Sequence, residues 1–145
     1  MPSNILESYE PLKCRVCGAD LLAANRERSG IIVFEKDLKS KDVDKFVQCY
    51  AVCKGDCDET AKLHFVSKEN VTYWEDLDDL QIPYYFLKEV IAVINGLHSG
   101  KTIYDNNCLE ELKSILVRIS QNTLRDQTKE ELNRLKSLVA LPDWL

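Results

Sequence analysis

Over the first half of the chain apolar residues cluster in short runs or alternate with polar ones. Over the second half they recur every three to four residues. Ile31-Ile32-Val33-Phe34, entered through Ser29-Gly30, is a β-branched and aromatic run that predicts a strand. A charged turn over residues 36–44 separates it from a second predicted strand over 45–52. Residues 58–66 carry two signals. Asp58 and Glu59 suit a helix N-terminus, whereas Leu63 and Phe65 alternate around His64 as a strand would, and the reading favours the strand.

From Trp74 the period becomes helical. Pro83 opens a helix that Gly96 or Gly100 closes. It is apolar nearly all round, at Phe86, Leu87, Val90, Ile91, Val93, Ile94 and Leu97, and is expected to form the core of the C-terminal half. A second helix starts at Asn107-x-x-Glu110 and carries Leu109, Leu112, Ile115, Leu116 and Ile119. A third starts at Thr128-x-x-Glu131, carries Leu132, Leu135, Leu138 and Val139, and ends at Pro142. The expected fold class is α+β: a β module over residues 1–72, then a three-helix domain over 73–145.

The cysteines give this outline its chemistry. Cys14-Arg15-Val16-Cys17-Gly18 and Cys53-Lys54-Gly55-Asp56-Cys57 are two close thiol pairs, each with a glycine beside or inside it. Four thiolates at about 2.3 Å satisfy a tetrahedral zinc ion fully and leave no open position for chemistry. Cys14, Cys17, Cys53 and Cys57 are therefore the expected ligands of one structural Zn2+. Gly18 lets backbone amides turn toward sulfur, and Gly55 relaxes the turn that a third intervening residue requires. Cys49 and His64 are the alternative ligands; their blander readings are a small core residue and an ordinary surface histidine. A disulfide scaffold is disfavoured by the N-terminal ten residues, which have neither a basic n-region nor an apolar h-region. A thioredoxin-like dithiol would need a helix opening at Cys14–Cys17, where Gly18-Ala19-Asp20 stands instead.

Charge narrows the partners. The 145-residue chain carries a net −5. Residues 1–72 hold 11 basic and 12 acidic side chains, and residues 73–145 hold 8 and 12, so the balances are −1 and −4. Neither half offers the positive excess that releases phosphate counterions. No apolar run approaches a membrane span, and the expected compartment is the cytoplasm.

Other motifs lead to no reaction. Cys108 lies behind Asn106 and Asn107 at a predicted helix N-terminus, where the dipole lowers a thiol's pKa, but nothing sets His64 or His98 against it. Ser99-Gly100-Lys101-Thr102 imitates the end of a phosphate-binding loop, yet a helix precedes it where a strand is required. Glu75, Asp76, Asp78 and Asp79 lack the alternating oxygens of a calcium loop and read as an acidic helix start.

Residues 14–57 resemble a four-cysteine zinc module of the zinc-ribbon or treble-clef type. The resemblance implies bound zinc and a role in contacting proteins or nucleic acids, and it implies no reaction. A zinc module followed by helices is similar to zinc-ribbon antitoxins and transcription regulators. Those carry a helix-turn-helix, for which no short glycine-containing turn between two helices is found here. The expected function is a non-enzymatic interaction or regulatory protein that contacts a protein, or its own copy as a homodimer, through the helical half. The alternative is a nucleic-acid-binding regulator using Lys13, Arg15, Arg26 and Arg28. Trp144 is expected to fold back onto the chain's own helices.

Overall fold

The computed structural model describes residues 11–23 and 28–125, with side chains to residue 122. Their elements run β1 (Gly30–Lys36), β2 (Asp44–Cys53), α1 (Asp56–Phe65), β3 (Val71–Asp76), α2 (Leu77–Leu80), α3 (Pro83–Ser99), β4 (Thr102–Tyr104) and α4 (Asn106–Arg125). The described residues are α+β, built on one four-stranded sheet in the order β3-β1-β2-β4. β1 pairs antiparallel with β2 and β3, and β4 pairs parallel with the first three residues of β2. The expected division at residues 72/73 falls inside β3, a strand that pairs with β1 along its whole length.

β1 is central, and Gly30 through Glu35 are all buried. A strand covered on both faces needs a continuous apolar run, which Ile31-Ile32-Val33-Phe34 supplies. Register slips between Glu35 and Lys36, where the pairing passes from Gln48 to Phe46 and leaves Val47 as the extra residue of a bulge. Successive β2 side chains point to opposite faces. Gln48 and Tyr50 meet α1, through a hydrogen bond to the Phe65 carbonyl and a ring contact with Phe65. Cys49 lies on the other face, with α4. The two helices therefore sandwich β2.

Three expectations are corrected. Residues 58–65 belong to α1 and not to a strand, with Val66 as its C-cap. Asp56, Asp58 and Glu59 in its first turn and Lys62 and His64 in its last suit the helix dipole. Leu63 points outward at 76% exposure, so the Leu63/Phe65 alternation was not a buried strand face. The helical pattern does not begin at Trp74, because Val71–Asp76 is a strand, as its Val, Thr, Tyr and Trp suit. Finally, α3 is not enclosed among the described residues. Phe86 and Leu87 are buried and Val90 and Val93 pack against the core, but Ile91, Ile94 and Leu97 are exposed. The cover that the all-round apolar pattern demanded comes, among the described residues, from α2, β4 and α4 on one side only.

The ends of α3 follow the expectation. Pro83 is its first residue, and Gly100 closes it at φ 74°, its N–H donating to the Leu97 carbonyl. Gly96, inside the helix, has another use: a Cβ there would meet Thr102 Oγ1 at 2.7 Å, so glycine lets β4 fold back against α3. α4 buries Cys108, Leu112, Ile115 and Ile119 at helical spacing, the expected stripe with Leu109 turned outward. The third expected helix, from Thr128, and Trp144 lie outside the described residues. None of the described helices is long and apolar enough to cross a membrane.

Candidate metal centre

The first cysteine pair sits in a tight hairpin. Lys13 bridges Asp20, the Leu21 N–H donates to the Leu12 carbonyl at 2.8 Å, and the Cys14 N–H donates to the Ala19 carbonyl at 2.8 Å. Gly18 turns the chain at φ 77° while its N–H reaches the Cys14 carbonyl. Buried Leu12, Leu21 and Leu22 anchor this knuckle in the core. The second pair spans the end of β2 and the start of α1. Cys53 closes the strand, Gly55 at φ 88° turns the chain as the residue before the helix, and Cys57 stands in the first turn.

The Arg15 N–H donates to the Ala51 carbonyl at 2.9 Å and lays the knuckle against the edge of β2. As a result the sulfurs of Cys14, Cys17, Cys53 and Cys57 all lie within 4.8 Å of one another. The Cys17–Cys53 separation is 3.7 Å. Four sulfurs about 2.3 Å from a central ion form a tetrahedron with edges of about 3.8 Å, so the donor set fits a tetrahedral metal. Among the described residues the group contains these four cysteines and neither Cys49 nor His64. Four cysteines, three of them buried, thus form a cluster that could bind a metal ion.

The electrostatics of the cluster suit a cation. Burial raises the Cys14 thiol, but the backbone amides of Cys17, Cys53 and Val16 outweigh it and bring the group down to about 7. The Cys17 and Cys53 N–H groups lie 3.5 and 3.4 Å from its sulfur. Burial, reinforced by the neighbouring thiols, pushes Cys53 up to about 12 and Cys57 up to about 11. The Cys14 and Cys17 sulfurs thus oppose the ionisation of Cys53 and Cys57. A divalent ion among them reverses that balance, since a coordinating thiol gives up its proton outright.

Arg15, between the first two ligands, is a second structural element of the site. Its Nη1 donates to Gln48 Oε1 at 2.8 Å, and its guanidinium stacks over the Phe65 ring at 4.4 Å. It joins the knuckle to both β2 and α1. Sequence reasoning placed Arg15 only as a nucleic-acid contact; its position between two ligands was the available signal. On the same face Glu35, 4% exposed, accepts from Gln48 Nε2, the Ser67 N–H and Asn70 Nδ2. A single acid at the end of the apolar run of β1 was the sign of this network.

The remaining candidates resolve simply. Asp76 N-caps α2 through the Asp78 N–H and pairs with Lys54 Nζ at 2.6 Å, so the acidic cluster is a helix start. Gly100 and Lys101 form the turn from α3 to β4, with the Lys101 carbonyl accepting from the Asp44 N–H. Cys108 stands in the first turn of α4 but is 1% exposed. Burial, with Asp105 and Glu111 nearby, pushes it up to about 12, outweighing the dipole. Alkylation of the folded protein at pH 8, read by peptide mass mapping, should therefore modify Cys108 more than about 100-fold more slowly than free cysteine. Labelling at the free-cysteine rate would restore it as a nucleophile.

Compared with protein-family models, with curated proteins and with solved structures, the chain matches none.

Proposed function

We propose that this chain is a non-enzymatic interaction or regulatory protein in which Cys14, Cys17, Cys53 and Cys57 hold a structural zinc ion. Thiolate sulfur is a soft donor, and an all-cysteine tetrahedral set selects zinc over the hard cations. The order knuckle, hairpin, helix, with the fourth cysteine in the first turn of α1, is the treble-clef-like form of such a module. With all four positions taken by sulfur the ion offers no site for a substrate, and its contribution is to folding.

The observation that carries the interaction reading is the outer face of α3. Tyr84 is 69% and Ile94 57% exposed, with Tyr85, Ile91 and Leu97 also exposed on the same 17-residue helix. Apolar side chains gathered on one helix are the mark of a protein contact. The nucleic-acid alternative has less support. Arg15 is engaged by Gln48 and Phe65.

The test uses the protein at its native level. It should elute in an assembly larger than its 16.7 kDa chain, and Ile94→Glu should collapse that assembly while leaving metal content and helicity unchanged. Elution of both forms at the single-chain size would reject the interaction reading. Micromolar affinity for DNA or RNA that falls steeply with salt would favour the nucleic-acid one.

A further inference from the structure

We infer that the occupant of the exposed α3 face is a second copy of this chain, with the two α3 helices packed antiparallel about Ile91. This rests on the interaction reading above and names its partner. Tyr84, Ile91 and His98 recur at intervals of seven and Ile94 fills the gap between the last two, which is the spacing of a helix–helix seam. From Tyr84 to His98 the seam is about 21 Å long at 1.5 Å per residue. Leu87, buried at the inner margin of the same stripe, ties it to the core.

Charge admits a second copy and favours one direction for it. The chain carries −5 overall, and its second half −4, yet no acidic residue lies along the seam, whose basic side chains are Lys88 and His98. Two copies can therefore meet there without bringing their negative charge into the contact. In a parallel pair Lys88 would face Lys88 of the partner subunit, and the helix dipoles would be aligned. An antiparallel pair centred on Ile91 sets Lys88 against the partner's Ile94 and Asn95 instead, and opposes the dipoles. The same register brings Tyr84, a hydroxyl donor, to His98 of the partner subunit, an imidazole acceptor, at both ends of the seam. Each half of the stripe thus complements the other half of an identical stripe, as a two-fold interface requires.

Sedimentation equilibrium of the purified recombinant chain at micromolar concentration tests this directly. The expected mass is twice 16.7 kDa. Ile94→Glu and, independently, Ile91→Lys should each weaken dimerisation by at least about 30-fold, with far-UV circular dichroism and metal content unchanged. Leu63→Glu, on exposed α1, should leave the dimer intact. A recombinant monomer, or a dimer indifferent to both α3 substitutions, would overturn the inference. So would a monomer that dimerises only after truncation at Arg125, since residues 126–145 would then be the occupant. A recombinant monomer whose larger native assembly still collapses with Ile94→Glu would sink this inference alone and leave the interaction reading standing.

Discussion

Cys53→Ser is expected to abolish metal binding and to unfold the part of the molecule built around the cluster. Cys53 is fully buried, its N–H points at the Cys14 sulfur, and its own sulfur lies 3.7 Å from that of Cys17. A serine hydroxyl stays protonated near neutral pH and is a poor ligand for a soft-leaning ion, so the site would retain three thiolates. Structural zinc contributes roughly 10–16 kcal/mol in small domains, which equals or exceeds the whole stability of a typical protein of about 5–15 kcal/mol. Without the ion the knuckle keeps its hairpin bonds, the Arg15 contacts with Ala51, Gln48 and Phe65, and the Leu12, Leu21 and Leu22 contacts, but nothing that gathers the four thiols. Cys49→Ser is the matched control. It removes a thiol that is also buried on β2 but lies outside the cluster, so one metal per chain should remain, with only a modest loss of thermal stability. Metal analysis of protein purified without added zinc, alongside a thermal melt, reads both effects. Cys53→Ser protein that keeps one ion per chain and the wild-type melt would disprove the assignment.

The second large effect is expected at Glu35. Its Oε1 accepts from Gln48 Nε2 at 2.8 Å, and its Oε2 accepts from the Ser67 N–H at 3.1 Å and from Asn70 Nδ2 at 2.6 Å. Glu35→Ala leaves these donors without their acceptor in a poorly hydrated place and should cost about 3 kcal/mol. Glu35→Gln is more instructive. The new amide can keep its oxygen toward Ser67 and Asn70, but its NH2 then faces the NH2 of Gln48. Gln48 cannot flip to accommodate it, because its oxygen accepts from Arg15 and its nitrogen also donates to the Phe65 carbonyl. The Gln variant should therefore lose about 1–2 kcal/mol although its shape is conserved. Denaturant midpoints at equal slope measure both losses. A Glu35→Gln protein as stable as the parent would show that the network does not hold the knuckle, β2 and the α1 exit together.

Much of the candidate site could be read before any coordinates. A metal cluster demands particular donor atoms at short spacings, and turn glycines are demanded at the same points, so Cys14, Cys17, Gly18, Cys53, Gly55 and Cys57 carry their meaning within a few residues of chain. The choice against Cys49 was less legible. Alternation put it on the same strand face as Cys53, and only the placement of the knuckle, bonded through Arg15 to Ala51, decided that Cys53 turns toward the cluster while Cys49 meets α4.

The same division runs through the fold. Pro83 and Gly100 bound α3 because a missing N–H and a left-handed φ are local requirements, and the α4 stripe was visible because one broad apolar face meets one sheet. By itself the sequence determined those features, together with the central apolar strand β1. The tertiary structure alone decided the rest. α1 buries only two small residues, Cys57 and Ala61, so its period was too faint to outweigh the Leu63/Phe65 alternation. β4 is three residues long and owes its strand form to pairing with Asp44 to Phe46, more than fifty residues away in the chain. The exposure of α3 depends on which neighbours reach it, and an apolar pattern records a need for cover without naming what provides it. Local chemistry is written into neighbouring residues, whereas strand pairing and burial are settled between segments that meet only when the chain has folded.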